Sequence, residues 1–385
     1  MKKPIYLDYN ATTPLDSAVL EAMLPFLKEE FGNASSSSHA YGWEASRAVE
    51  KSRKLIAEIL SAKKQEVIFT SGATESNNLA ILGLMANFRN SRSHIITSKI
   101  EHKAVLDVVK YLETTGVEVT QLEVNKYGQV LPEQVKNSIK SNTRLISIMM
   151  ANNEIGTLQP ITEIGQIAKQ HGVFFHTDAA QSFGKIEIDV DKMGIDLLSI
   201  SGHKIYGPKG VGALYIRSEK PKIVIQPQQF GGGQEHNIRP GTLNVPGIVG
   251  LAKAAELMIN LRNDETFRIK NLQKKLINGV LENCPQAQLN GHPTERLCNN
   301  VSFSFHNLNA DVFSLGLSGL AISSGSACSS AMAAPSYVLK AIGHSDGLAR
   351  TTLRIGIGRS TTEEDIELCM SKILQMVKKS QEISI

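Results

Sequence analysis

Short apolar runs alternate with amphipathic stretches through most of the chain. The runs are bounded by polar residues or glycine, which is typical of buried strands, and we predict strands at residues 67–70, 94–97, 144–150, 173–176 and 196–201. Apolar positions with helical spacing lie between them and predict helices at residues 78–88, 102–114, 132–139 and 161–171. This alternation predicts an α/β domain with a mainly parallel sheet.

The pattern changes after about residue 245. Two long helical patterns, at 245–261 and 266–282, lead into short strand candidates at 301–305, 322–323 and 353–357. A last helical pattern covers residues 361–379. We therefore predict a second, smaller α+β domain.

Composition narrows the class of protein. The chain has 385 residues, of which 42% are hydrophobic and 20% charged, as in soluble globular proteins with more than one packed unit. Its 41 basic and 37 acidic residues include no long Lys/Arg block, so we expect no direct nucleic-acid contact and no membrane surface. There is no apolar signal segment, and no apolar stretch approaches the ~20 residues that span a bilayer.

The four cysteines are scattered at positions 284, 298, 328 and 369, without the CxxC spacing of a zinc site or a disulfide framework. We expect no metal site and a reducing, cytoplasmic compartment. Cys328 lies in a stretch of Ser, Gly and Ala, which predicts a loop, whereas structural cysteines usually have large apolar neighbours. We interpret the other three cysteines as core or surface residues.

One strand-to-helix junction has the features of a phosphate site. The nucleotide motifs GxGxxG after an early strand and GxxxxGK[ST] are missing. After the strand at 67–70, Ser71 and Gly72 form a turn, and Thr74 follows where backbone N–H groups and a hydroxyl converge on an anion. An ordinary helix cap is the alternative interpretation.

Two further strands place a carboxylate and an amine at one sheet edge. Asp178 follows the strand at 173–176, and Lys204 follows the strand at 196–201. Pyridoxal 5′-phosphate (PLP) requires both, since an amine binds its aldehyde and a carboxylate keeps its ring nitrogen protonated. A buried lysine with a lowered pKa also serves as a general base. Asp178 as a helix cap and Lys204 or Lys209 as surface lysines remain alternatives, but Lys204 directly follows the strand.

At these residues the sequence resembles the cysteine desulfurase family (NifS/IscS type), which belongs to the class V aminotransferases of PLP fold type I. The resemblance runs almost end to end, and its most diagnostic motif is SSGSACSS at 323–330. The other motifs, in chain order, are YLDYNATTP at 6–14, TSGATESNN at 70–78, ANNEIG at 151–156, HTDAAQ at 176–181, SGHKIYGPKG at 201–210, GGGQE at 231–235 and RPGT at 239–242.

The resemblance implies an architecture. It implies a large PLP-binding domain of residues 15–258, with a mainly parallel seven-stranded sheet between helices. A smaller α+β domain of residues 1–14 and 259–385 would carry the catalytic cysteine loop, at about residues 323–335. The family precedent is a homodimer with active sites at the subunit interface.

The resemblance also implies roles in cofactor binding. Lys204 would hold PLP covalently and move the substrate Cα proton, while Asp178 pairs with the ring nitrogen and Gln181 with the ring hydroxyl. His102 would stack on the ring and assist proton transfer, although it is also placed to cap the following helix. The residues expected around the phosphate are Ala73, Thr74, Ser201 and His203, with Thr242 from the other subunit.

For the substrate, the resemblance implies that Asn153 and Arg354 bind the carboxylate of L-cysteine, with Asn153 also beside the cofactor. An arginine suits this role because its planar fork matches two oxygens. Asn33 is a weaker candidate, since Ala34 stands where the family usually has proline and the segment 32–39 is one residue longer.

The implied reaction converts L-cysteine to L-alanine. The thiolate of Cys328 would attack the substrate sulfur and keep it as a persulfide for a sulfur acceptor, such as an iron–sulfur scaffold or a tRNA-thiolation relay. The chain stops soon after its last predicted helix, without the longer tail of the housekeeping branch, so we expect delivery to the scaffold less firmly than desulfuration itself. A selenocysteine lyase, another class V PLP enzyme, or a binding module on the same fold are the alternatives, and the presence of Cys328 and Lys204 favours the desulfurase.

Overall fold

The structure, a computed structural model, describes residues 3–89, 92–308, 318–324 and 334–383. The strands are β1 (Ile5–Tyr6), β2 (Val67–Thr70), β3 (His94–Ser98), β4 (Glu118–Leu122), β5 (Thr143–Ser147), β6 (Phe174–Asp178), β7 (Leu197–Ser201), β8 (Gly212–Ile216), β9 (Ala287–Leu289), β10 (Asn300–Phe305), β11 (Leu320–Ala321), β12 (Ser323–Ser324) and β13 (Thr352–Gly356). The α-helices are α1 (Ser17–Lys28), α2 (Ala40–Ile59), α3 (Ala73–Met85), α4 (Lys103–Thr114), α5 (Pro132–Ser138), α6 (Ile161–Gln170), α7 (Val245–Asn283), α8 (Tyr337–Ala341), α9 (Asp346–Arg350) and α10 (Glu363–Ile383).

A seven-stranded sheet forms the centre of the larger part of the molecule, in the order β2-β8-β7-β6-β5-β3-β4. Strands β4, β3, β5, β6 and β7 run parallel to one another, whereas β8 is antiparallel to both of its neighbours. The predicted mainly parallel sheet is confirmed, and all five predicted strands exist with small shifts at their ends.

Helices cover both faces of this sheet. Successive strand residues point to opposite faces, so Val67 and Phe69 belong to one buried cluster and Ile68 to another. The first cluster includes residues of α2, α6 and the first half of α7, and the second includes residues of α3 and α4. Because both faces of the central strands are buried, these strands are largely apolar, and this made them visible in the sequence.

Helix α7 corrects one prediction. The sequence predicts two helices, at 245–261 and 266–282, but the structure has one helix of 39 residues. The polar residues at 262–265 are exposed or half-buried and continue the helix instead of breaking it. Its first half packs in the cluster beneath the large sheet, up to Met258, and its second half packs in a separate cluster from Ile269 onwards. The predicted domain boundary between residues 258 and 259 falls inside α7 and stays a prediction.

The separate cluster that contains the second half of α7 lies between α7, α10 and a four-stranded antiparallel sheet in the order β12-β13-β10-β9. The strand predicted at 322–323 is instead two short strands in different sheets, because β11 pairs with β1 and β12 pairs with β13. Of the predicted cysteine loop, residues 325–333 lie outside the described residues. Among the described residues, no helix combines the length and apolar character required to cross a membrane.

Candidate active site

A cleft of about 630 Å³ opens at the carboxyl ends of β6 and β7. Ligands of open α/β sheets bind at this edge, because the strand ends and the starts of the following helices meet there. The cleft brings together most of the side chains predicted to act on cofactor and substrate. These are Ala73, Thr74, His102, Asn153, Asp178, Gln181, Ser201, His203, Lys204 and Arg354.

Lys204 lies in a single 3-10 turn directly after β7. Its Nζ atom donates hydrogen bonds to the backbone carbonyls of Asn10, at 2.6 Å, and Ala11, at 2.7 Å. Burial lowers the pKa of Lys204 to about 8, and the positive charge of Arg354 acts in the same direction. The alternative residue, Lys209, also borders the cleft but is exposed. Of the two lysines, Lys204 is therefore the half-buried one with the lowered pKa, which agrees with the preference for it in the sequence.

Asp178 ends β6 and is 5% exposed. Its Oδ1 atom accepts a hydrogen bond from the backbone N–H of Ala180 at 2.9 Å, and its Oδ2 atom accepts one from Nδ2 of Asn77 at 2.7 Å. Gln181 lies one turn further on, where its Nε2 atom donates to the carbonyl of Asn10 at 2.9 Å. The sequence analysis missed Asn77 and Asn10, although both lie inside motifs that it quoted.

The phosphate-type junction is formed by Gly72 and the start of α3. The helix begins at Ala73, five residues earlier than the predicted start at 78, and no side chain caps it. Gly72 has φ +149°. A Cβ atom added to Gly212 would lie 2.6 Å from the Cα atom of Gly72, so the two backbones pack closely here. The uncapped first turn leaves N–H groups for an anion, which favours the phosphate interpretation over an ordinary side-chain cap.

Ser201 and His203 border the same corner of the cleft. Ser201 is buried at the end of β7, and Nδ1 of His203 lies 3.1 Å from Oγ1 of Thr12. Burial lowers the pKa of His203 to about 4, and the nearby charge of Lys204 adds to this effect. His203 is thus neutral near pH 7 and offers hydrogen bonds without a charge.

His102 both caps a helix and borders the cleft, which are the two placements that the sequence left open. It is the N-cap of α4, where its Nδ1 atom accepts a hydrogen bond from the backbone N–H of Ala104 at 3.1 Å, and its ring also borders the cleft. The preceding residue, Glu101, is fully buried and accepts hydrogen bonds from Ser98 and from the backbone N–H of Met149. Burial raises the pKa of Glu101 to about 8. The sequence analysis did not identify Glu101.

Arg354, on β13, borders the cleft from the side of the smaller sheet. Its Nη2 atom donates to Oδ1 of Asp8 at 2.9 Å and to Oγ of Ser323 at 2.8 Å, and its Nη1 atom donates to the carbonyl of Asn153 at 3.3 Å. Two buried atoms here have no hydrogen-bond partner, Nε of Arg354 and Oδ1 of Asn153. A free donor and a free acceptor on residues that border the same cleft suit a polar ligand.

Comparison with known proteins decides the family. Residues 5–369 match the family described as "Aminotransferase class-V". Over 381 residues the chain is 48% identical to the cysteine desulfurase IscS of Rickettsia africae (strain ESF-5), covering 99% of this chain and 93% of the relative. The chain belongs to the cysteine desulfurases of the class V aminotransferase family.

Solved structures of relatives agree with this membership. A NifS-like protein superimposes with a TM-score of 0.90 at 36% identity, covering 98% of this chain and 100% of the other. A structure described as SspA in complex with cysteine gives a TM-score of 0.82 at 41% identity, covering 92% and 98% of the two chains. The predicted fold type and the predicted activity class are therefore confirmed.

Membership in this family implies PLP as the cofactor, and the residues of the cleft fit it. A half-buried amine, a buried carboxylate and an uncapped helix start are the groups that its aldehyde, ring nitrogen and phosphate require. They lie in one cleft, at or just after the ends of three different strands. The individual contacts to the cofactor stay predictions.

Three predicted residues are not part of this cleft as the structure describes it. Asn33 is exposed, and its side chain accepts a hydrogen bond from the backbone N–H of Ser35 at 2.9 Å. Thr242 is also exposed, and its predicted contact involves another subunit. Cys328 lies outside the described residues.

The segment that contains Cys328 is nevertheless attached to the cleft at both of its described ends. At one end Ser323 bonds to Asp8 and Arg354. At the other end Ser336 donates to Glu154, and the hydroxyl of Tyr337 donates to the carbonyl of Glu101 at 2.7 Å. Both attachments lie beside residues that border the cleft.

Proposed function

We propose that the protein removes sulfur from L-cysteine with PLP bound covalently to Lys204, releases L-alanine and keeps the sulfur as a persulfide on Cys328. The observation that carries this proposal is the convergence of Lys204, Asp178 and Arg354 on one cleft. When bound, PLP supplies an electron sink that makes the Cα proton of an amino acid acidic.

Lys204 is suited to move that proton. A lysine with a pKa of about 8 is partly neutral near neutral pH, so its amine accepts a proton there, which an ordinary lysine rarely does. The carboxylate of Asp178 would hold the ring nitrogen protonated, and Gln181 would donate to the ring hydroxyl. His102 would pack on the ring and assist proton transfer, while the start of α3 with Ala73 and Thr74 would bind the phosphate.

Arg354 and Asn153 would bind the substrate. The guanidinium of Arg354 already has one nitrogen fixed by Asp8, and its buried Nε atom is free to donate to a substrate carboxylate. The free Oδ1 atom of Asn153 would accept a hydrogen bond from the ligand. Asn33 and Thr242 would contribute from a homodimer interface, in agreement with their exposure in the single chain.

The sulfur step needs no external oxidant or reductant. The thiolate of Cys328 attacks the sulfur atom of L-cysteine, an S–S bond forms, and the bond between that sulfur and Cβ breaks with its electron pair going to the carbon. Protons then complete L-alanine. The persulfide would pass to an acceptor protein in iron–sulfur cluster assembly or tRNA thiolation, and the free cysteines of the described fold fit a reducing cytoplasm.

Three variants of the PLP-loaded protein test this assignment by alanine release from L-cysteine in the presence of a thiol reductant. We expect Lys204→Ala and Cys328→Ser each to lower the rate by at least ~1,000-fold, because each removes a group that acts as a unit with the others. Cys284→Ala, at a buried cysteine of the small sheet region, serves as the control and keeps the rate. Full activity of Cys328→Ser would refute the assigned sulfur carrier.

A further inference from the structure

We infer that Asn77 is a positioning residue of the reaction, which holds the carboxylate of Asp178 in place and aimed at the cofactor ring nitrogen. The inference rests on the proposed function, because it extends the role proposed for Asp178. It concerns a residue that does not itself border the cleft.

The contact between the two side chains is specific. Asn77, on α3, is fully buried, and its Nδ2 atom donates to Oδ2 of Asp178 at 2.7 Å. The backbone N–H of Ala180 donates to the other oxygen at 2.9 Å. Each carboxylate oxygen thus has one fixed donor, which leaves a lone pair on the carboxylate for a group in the cleft.

The electrostatic surroundings make these donors important. Burial disfavours the charged form of a carboxylate. Within the described ranges, no Lys, Arg or His side chain forms an ion pair with Asp178, and the neighbouring carboxyl of Glu101 interacts with it unfavourably. The hydrogen bonds from Asn77 and Ala180 are therefore the direct contacts to its two oxygens, in addition to the electrostatic attraction of Lys204.

The burial of Asn77 is also unfavourable for the stability of the fold. Its Oδ1 atom is buried without a hydrogen-bond partner, which is unfavourable for a polar atom in a protein interior. A leucine at this position would fill similar space without that cost. The neighbouring Ser76 is equally buried, but its hydroxyl lies 2.8 Å from Oγ1 of Thr70 and is satisfied. The geometry points to a functional reason for Asn77, namely its donor bond to Asp178.

The test compares Asn77→Leu with wild type, and Ser76→Ala serves as the matched control on the same helix. Cofactor-free proteins are titrated with PLP and with a PLP analogue that has a C–H group in place of the ring nitrogen. We expect Asn77→Leu to weaken PLP binding by about 10- to 100-fold, the range for a hydrogen bond to a charged group. Binding of the analogue should change by less than about twofold, because it has no ring nitrogen for Asp178 to hold.

Kinetics and spectra provide independent readouts. In Asn77→Leu the visible absorption band of the bound cofactor should titrate at a different pH from wild type, and kcat should fall about tenfold or more while KM changes little. Ser76→Ala should match wild type in all three measurements. Circular dichroism and thermal unfolding verify that both variants fold.

Two results would overturn the inference. One is an Asn77→Leu protein with wild-type PLP affinity, absorption spectrum and kcat. The other is an equal loss of affinity for PLP and for the analogue, which would assign Asn77 a merely structural role. Failure of the proposed function is distinguishable, since the wild-type protein would then bind no PLP or release no alanine.

Discussion

Lys204 has backbone carbonyls as its hydrogen-bond acceptors and lies beside the positive charge of Arg354. A carbonyl compensates poorly for the water that a charged amine loses on burial, so the neutral amine is favoured. This is the form that condenses with an aldehyde and accepts a proton. The local environment thus provides the reactivity that the family chemistry requires.

The lowered pKa of Lys204 predicts its labelling behaviour. In the cofactor-free protein, acetic anhydride should modify Lys204 with a half-maximal rate near pH 8, whereas a model lysine peptide has its midpoint near ~10.4. Arg354→Gln should move the midpoint upwards, because it removes a charge that lowers the pKa. Peptide mass spectrometry across a pH series measures both values, and a wild-type midpoint near ~10.4 would contradict the argument.

Asp8 predicts an effect on substrate binding. It fixes the guanidinium of Arg354 and bonds to Ser323, so Asp8→Ala leaves the cleft arginine without its ion-pair partner. We expect KM for L-cysteine to rise about tenfold, with a smaller change in kcat. The matched control is Asp191→Ala, which removes a partner of Arg217 away from the cleft. A KM equal to that of wild type would exclude this role.

Local sequence signals identified some site residues and missed others for a physical reason. Asp178 and Lys204 follow buried parallel strands, and the ends of such strands meet at one sheet edge. Asn77 and Asp8 act through partners 101 and 346 positions away, so no periodicity or spacing relates them. Their presence inside the quoted motifs was the available signal, but a motif does not state which contact a residue makes.

At the scale of elements, α7 connects the buried cluster beneath the large sheet with the buried cluster of the smaller sheet. Leu276 is fully buried in the cluster of the smaller sheet, whereas Leu281, on the same helix, is 37% exposed. Leu276→Ala should lower the free energy of unfolding by about 2–5 kcal/mol, because it opens a cavity. Leu281→Ala should cost less than about 1 kcal/mol. Urea unfolding measures both, and equal losses would show that this half of α7 is not packed as described.

The five predicted strands of the large sheet are the buried ones with apolar runs, whereas the buried strand β8 and the partly exposed strand β4 were not predicted. Strand β4 is mostly accessible and its residues form no apolar run, so the sequence pattern did not predict it. The polar residues within α7 suggested a break, although a helical turn that is largely accessible all round needs no apolar residues. Helix α3 starts earlier than predicted because its first turn serves the cleft, and its polar residues there do not follow the apolar pattern.

At the scale of the whole molecule, the described cysteines are unsuited to sulfur transfer. Burial raises the pKa of Cys369 to about 12 and also raises the pKa values of Cys284 and Cys298. A thiol must ionise to act as a nucleophile, so these three are poor candidates. Cys328 is the remaining cysteine, and the segment that contains it is attached to the cleft at both described ends.

The sequence predicts the chemistry of the molecule in more detail than the way its subunits assemble. The predicted homodimer and the predicted contact of Thr242 involve a second subunit, and Thr242 is exposed in the single chain. Spacing within one sequence does not encode which surface meets which. These points stay predictions.

The most direct test of the account maps sulfur on the protein. PLP-loaded protein is incubated with L-cysteine without reductant, and its peptides are analysed by mass spectrometry while alanine is measured in solution. The account predicts one added sulfur atom on the peptide of Cys328 and an equal amount of alanine. Sulfur on Cys284, Cys298 or Cys369 instead, or no sulfur and no alanine, would contradict it.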